Sequence, residues 1–100
     1  IQVLVEVKVA DGHRDEFYSL ANSDAEKSSG ERGCLHFQVY EIKAKPGHYV
    51  FQEIYENQAG LDYHTTTEHY AAWGPFMDKG GMVLISKNIL FKIFLGKKTL

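Results

Sequence analysis

The chain has 100 residues, 44% of them hydrophobic and 24% charged, with a formal net charge of -2. That length makes one domain with a modest core, and the charge balance, with no run of Lys or Arg longer than two, argues against nucleic acid or an anionic membrane as partner. The single cysteine, Cys34, excludes an internal disulfide and suits a reducing, cytoplasmic setting; no apolar run approaches the ~20 residues of a membrane span, while a start at Ile1 rather than Met leaves room for a removed leader.

Residues 1–9, IQVLVEVKV, alternate as a strand, with Val3, Val5, Val7 and Val9 on one face and Gln2, Leu4, Glu6 and Lys8 on the other. Asp11-Gly12 signals a turn. A helix follows over roughly 12–29, with Phe17, Leu20, Asp24, Ala25 and Ser28 in one stripe. Asp24 is the odd member. It either reaches water at the edge of the stripe or aims a carboxylate into a cavity beneath the helix. Gly30 and Gly33 bracket the helix stop.

The segment CLHFQVYEI predicts a second strand, in which Leu35, Phe37 and Val39 alternate with Cys34, His36, Gln38 and Tyr40. A turn over Lys43–Gly47, with Pro46-Gly47, leads to a third strand, HYVFQEIYE. Its Tyr49, Phe51, Glu53 and Tyr55 share a face, so Glu53 stands among aromatics, where a carboxylate needs partners or a raised pKa.

The second helical region spans 58–79. Thr65 and Glu68 have capping-box spacing, and Thr67 is an alternative cap, so a helix restarts within Thr65-Thr66-Thr67. In one continuous helix His64 and Tyr70 would point about 120° apart, at ~100° per residue; a break lets both turn inward. Tyr70, Trp73, Gly74 and Met77 make the apolar stripe of the second half, Pro75 is a kink signal, and Gly80-Gly81 ends it. The last strand is expected at about 88–95, with Ile89, Phe91, Ile93 and Leu95 alternating with Leu90, Lys92 and Phe94. The domain thus covers 1–95, and 96–100 form a tail.

Strand, helix, strand, strand, helix, strand is the order of a ferredoxin-like split β-α-β fold, an α+β class with a four-stranded antiparallel sheet and both helices on one face. Leu4, Val50 and Ile54 would leave the other sheet face apolar, which predicts a homodimer packed through the sheet faces.

The pieces EVKVADG, ERGCLHFQVY, FQEIYEN and above all HTTTEHYAAW, in this element order, resemble the antibiotic biosynthesis monooxygenase (ABM) family of dimeric α+β barrels, from Val3 to about Phe94. The resemblance implies a pocket between sheet and helices of each subunit. It also implies one of three activities: cofactor-independent oxygenation of polyphenols and quinols, haem degradation, or isomerisation of a phosphorylated autoinducer sugar derivative. The haem-degrading branch uses an Asn on the first strand and a Trp and a His on the second helix; threading those positions here gives Val5, His64 and Gly74, and none matches. HTTTEHY looks closer to the quinol-oxygenase and isomerase branches. Relatives often carry Asn where this chain has Asp24, so the acid changes the charge of the pocket.

For an oxygenase no cofactor is expected, because a deprotonated phenol can itself reduce oxygen. The protein then binds an aromatic ring, removes a proton and excludes water. Phe17, Phe51, Tyr70, Trp73 and Met77 are the candidate walls, with His69 beside them. His64 is the candidate proton acceptor, because imidazole titrates near neutrality, with Glu53 or Asp24 orienting it. Each has a plainer alternative: a helix-end side chain for His64, a solvent-facing residue for His69, core packing for Tyr70 and Trp73, a structural carboxylate for Glu53. An isomerase of a small phosphorylated keto compound would use His64 with Asp24 or Glu53 as base and acid, and would want cations, for which Arg14, Lys27 and Arg32 are candidates without a motif. A non-catalytic dimeric binding or stress-related protein is the third reading. No metal is expected: His64 and His69 are five apart, not the three or four that place two ligands on one helical face.

Overall fold

The computed structural model describes residues 1–93. Four strands form one antiparallel sheet: β1 (Gln2–Val9), β2 (Cys34–Glu41), β3 (His48–Tyr55) and β4 (Met82–Leu90), in the spatial order β2-β3-β1-β4. Between them run α1 (Arg14–Ser29) and three short helices, α2 (Gln58–His64), α3 (Glu68–Ala71) and α4 (Trp73–Asp78). The order is that of the ferredoxin-like split β-α-β fold, and the helices cover one sheet face. The register sets that face, because Val3 lies opposite Glu53, Val5 opposite Phe51, and Phe37 opposite Glu53. Tyr49, Phe51, Glu53 and Tyr55 are all buried, as strict alternation on β3 requires.

Phe17 is the hub of the core. It is 0% exposed, and its ring centroid lies 4.5 Å from Tyr49, 5.5 Å from Trp73 and 6.0 Å from Phe51. Burying a side chain of this size contributes about 1.5–3 kcal/mol. Around it α1 buries Phe17, Ala21, Asp24 and Ser28, so Ala21 rather than Leu20 faces the sheet most closely.

Three features differ from the sequence expectation. The last strand begins at Met82, six residues earlier than expected, and ends at Leu90. Gly80, at φ 82°, takes a left-handed turn that favours glycine, and Gly81 passes the chain straight to Met82. A bulge opposite Glu6/Val7 then breaks the alternation that would have marked the strand. Phe91–Ile93 lie beyond it, and the expected strand residues Phe94 and Leu95 and the tail 96–100 lie outside the described residues. Leu35 is exposed rather than facing inward, because β2 bulges between Cys34 and His36. The segment 58–79 is in three pieces. The Thr65–Thr67 break was expected; the second follows from Pro75, which has no N–H for the carbonyl of Ala71, so α3 stops there and the chain restarts at Trp73.

The helix-free sheet face is less apolar than the sequence suggests. Leu4, Val50 and Ile54 are half-buried there, among a polar ladder in which Gln52 donates to Gln2 (2.8 Å) and meets His36 and Tyr40. The exposed apolar side chains gather instead on the edge strand β4, at Val83, Leu84, Ile85, Ile89 and Leu90.

Candidate functional site

A cavity of about 350 Å³ lies between the sheet and the short helices. Val3, Val5 and Val7 of β1 and Phe51 and Glu53 of β3 make its floor. Asp24 of α1 and His64 at the end of α2 close one side, and Tyr70, Trp73 and Met77 of α3 and α4 form the roof. Leu84 and Lys87 of β4 also line it, and the partial exposure of Tyr70, Met77 and Leu84 marks the mouth. The sequence candidates Asp24, Glu53, His64, Phe51, Tyr70, Trp73 and Met77 therefore converge on one space. Two do not line it. Phe17 stands behind the wall, with Trp73 and Phe51 between it and the cavity. His69 lines a second, open cleft of about 660 Å³, with Glu31, Tyr63 and Gly33.

The turn at Thr65–Thr67 positions His64. Thr67 donates its hydroxyl to the carbonyl of His64 (2.7 Å) and accepts from the amide of Tyr70 (3.3 Å), so one threonine ends α2 and caps α3. His64 and Tyr70 both turn inward, their rings 5.4 Å apart and near perpendicular. At the other end of α2, Asn57 caps the amide of Gly60 (3.0 Å), and Gly60 packs directly on Gly33. A Cβ on Gly33 would lie 2.7 Å from the Cα of Gly60, so helix and chain touch backbone to backbone, which only glycine permits.

Glu31 is the residue that sequence reasoning missed. Its buried carboxylate accepts from Nδ1 of His64 at 3.0 and 3.3 Å and from Nε2 of His69 at 2.5 Å. A carboxylate only accepts, so Nδ1 carries the proton and, in the neutral ring, the lone pair falls on Nε2. Nε2 makes no hydrogen bond among the described residues, although no buried side-chain nitrogen or oxygen is left without a partner, so this nitrogen faces the cavity that His64 lines. His64 is nevertheless 2% exposed. The signal that could have found Glu31 was its place just after the first helix, facing the segment that carries both histidines, but nothing in ERGCLHF fixes that proximity.

The two acids of the cavity are held differently. Asp24, 3% exposed, accepts from the Trp73 indole (2.7 Å) and from Ser28 (2.8 Å). Burial raises its pKa, and these bonds and the two imidazoles pull it partly back. The cavity-facing alternative for this acid is thus the one its position matches. Glu53 accepts from the hydroxyl of Tyr55 (2.7 Å) and lies 3.8 Å from Nε2 of His64. Burial raises its pKa too, against the Tyr55 bond and the nearby imidazole. Burial also raises the Cys34 thiol, which donates to the carbonyl of His36, leaving it a poor nucleophile. Of the cations named from sequence, Lys27 and Arg32 line the second cleft, while Lys87, not singled out there, lines the cavity.

The chain is thus an α+β protein with an antiparallel ferredoxin-like sheet and, under its helices, an open-mouthed and mostly apolar cavity lined by one imidazole and two carboxyls. The chain belongs to the antibiotic biosynthesis monooxygenase family, whose profile matches residues 1–75. It is 28% identical over 78 residues to YcnE of Bacillus subtilis (strain 168), a candidate monooxygenase, covering 78% of this chain and 79% of that one. It is 33% identical over 70 residues to the uncharacterised protein sll1783 of Synechocystis, covering 70% of this chain but only 48% of the relative, so the match spans about half of that protein's length. A crystal structure of an antibiotic biosynthesis monooxygenase superposes with a TM-score of 0.71 at 27% identity, over 85% of this chain and 95% of that one. Among the described residues no helix is long and apolar enough to cross a membrane.

Proposed function

We propose that the cavity binds a small phenolic or quinol-like ring and that the protein oxygenates it without a resident cofactor, His64 acting as the base. The observation that carries this reading is Nε2 of His64: an imidazole nitrogen with its lone pair freed by Glu31, facing an apolar cavity, beside the aromatic roof of Tyr70 and Trp73. Nε2 takes the phenolic proton, and the phenolate so formed is electron-rich enough to reduce O2. One oxygen atom ends as a ring carbonyl and the other as water, the substrate losing two hydrogens, so the electrons balance within substrate and O2. The buried walls exclude water from the reactive intermediates. Glu53 and Asp24, both with raised pKa values, are placed to return a proton to the reduced oxygen.

Oxygen uptake with a panel of phenols and quinols tests the reading, together with ¹⁸O2 labelling of the product. The expectation is protein-dependent uptake with one labelled atom in product, and a loss of about 10²–10⁴ in rate for His64→Gln, the usual worth of a general base. No uptake with any phenol, or full rate in His64→Gln, would sink it. One observation favours a second reading. Lys87 in the cavity lining offers the cation that an isomerase of a phosphorylated keto compound would need; proton exchange beside a ketone, insensitive to removal of O2, would then be seen instead.

We also read the working unit as a homodimer, with β4 and the adjoining sheet face as contact surface. The exposed apolar side chains of β4 support this. Light scattering at dilute concentration checks it; a stable monomer refutes it.

A further inference from the structure

We propose that Asp24, His64 and His69 form a binding site for a divalent late transition-metal ion of the Zn²⁺ class. The five-residue spacing of the two histidines excludes a shared face only if one helix carries both. Here α2 ends at His64 and α3 begins at Glu68, and the turn between them brings the imidazole rings to 5.6 Å between centroids. One donor atom from each of Asp24, His64 and His69 lies within 4.8 Å of the others. Ligands of one ion at about 2.0–2.2 Å stand roughly 3–4 Å apart, so modest side-chain rotations close the site.

The surroundings are those a metal site needs. Ligating histidines ordinarily hand their second nitrogen to a carboxylate, and ligating carboxylates are themselves hydrogen-bonded. Glu31 alone serves both rings, through Nδ1 of His64 and Nε2 of His69, which leaves each its other nitrogen. Ser28 and Trp73 hold Asp24. Glu53, 3.8 Å from Nε2 of His64, is within reach as a further oxygen ligand. Two nitrogens and one oxygen suit Zn²⁺, Cu²⁺ or Ni²⁺ and disfavour the all-oxygen ions Mg²⁺ and Ca²⁺. An ion here takes the lone pair that the oxygenase reading gives to substrate, so under that reading Zn²⁺ inhibits; binding itself does not depend on it.

The test is calorimetric titration of the chelator-treated full chain with Zn²⁺, with Mg²⁺ as control, followed by ¹⁵N resonances of the histidine rings. The expected result is one Zn²⁺ per chain, no Mg²⁺ binding, and ring shifts at His64 and His69 but not at His13, His36 or His48. Glu31→Gln should weaken binding about 10–100-fold, as loss of an outer-shell partner does, and His69→Gln by at least as much. The ring spectra need no variant, so misfolding of either variant leaves the question decidable. Absence of saturable Zn²⁺ binding, or shifts confined to His13, His36 or His48, overturns the proposal, whatever the outcome with phenols.

Discussion

Replacing Glu31 with Gln removes one charge and one of two acceptor positions from a group that bonds two imidazoles. Oε2 accepts from both rings and Oε1 only from His64, so an amide oxygen in the Oε2 place keeps both contacts without the charge, while the amide N–H₂ in the Oε1 place turns a donor toward Nδ1 of His64. A hydrogen bond to a charged group contributes about 1.5–3 kcal/mol. With the Glu31 side chain 5% exposed and that of His64 2%, solvent screening takes little from that figure. We expect Glu31→Gln to destabilise by about 2–3 kcal/mol, with a drop in Tm of roughly 8–24 °C at the 4–8 °C per kcal/mol of a chain this size. Thermal unfolding by circular dichroism measures it, at one fixed protein concentration because any association of copies would make Tm concentration-dependent. His69→Gln and the double variant complete a cycle whose coupling should exceed about 0.5 kcal/mol, as for groups in one network. A single-variant loss below about 0.5 kcal/mol, or strict additivity, would refute the claim that one carboxylate holds both rings.

Gly33→Ala should cost about 1–3 kcal/mol in denaturant unfolding, the usual penalty of overpacking, because its Cβ would meet the backbone of Gly60 at 2.7 Å; unchanged stability would show that α2 can move aside freely. Alkaline titration followed by tyrosine absorbance should find Tyr49 and Tyr55 still protonated above the ordinary value of about 10, since burial raises both. A pKa higher in the folded state gives stability that is complete below about pH 10 and lost as pH rises beyond it, so unfolding and the last tyrosine ionisations should coincide; ionisation of all six tyrosines without unfolding would contradict this. Lys79→Ala should change stability by less than about 1 kcal/mol, because its 2.6 Å pair with Glu16 is about half exposed on both sides, and a larger loss would mean the pair anchors α4 to α1.

Alternation and breaker residues made most of the fold legible. β3 buries every second residue from Tyr49 to Tyr55 as its sequence implies, and the restart within Thr65–Thr67 follows from cap chemistry. The two bulges were not legible, because a bulge is set by the partner strand, and they hid the start of β4 and the exposure of Leu35. At the site, His64, Asp24 and Glu53 stood out as polar groups at apolar positions. Glu31 did not, since it lies in a loop with no period and its partners are 33 and 38 residues away. His69 was misplaced for a related reason: a short α3 gives too few turns for a face to be read.

The contact between Gly33 and Gly60 divides the cavity into parts that can change and a part that cannot. Backbone atoms set the seating of α2, so no exchange of core side chains slides His64 along the sheet. Met77, Leu84 and Lys87 hang from α4 and β4 at the open side and make no hydrogen bond to the imidazole, whereas Tyr70 packs its ring on His64. For an engineer this is a modular arrangement: the lining can be rewritten at those three positions while Nε2 of His64 keeps its coordinates.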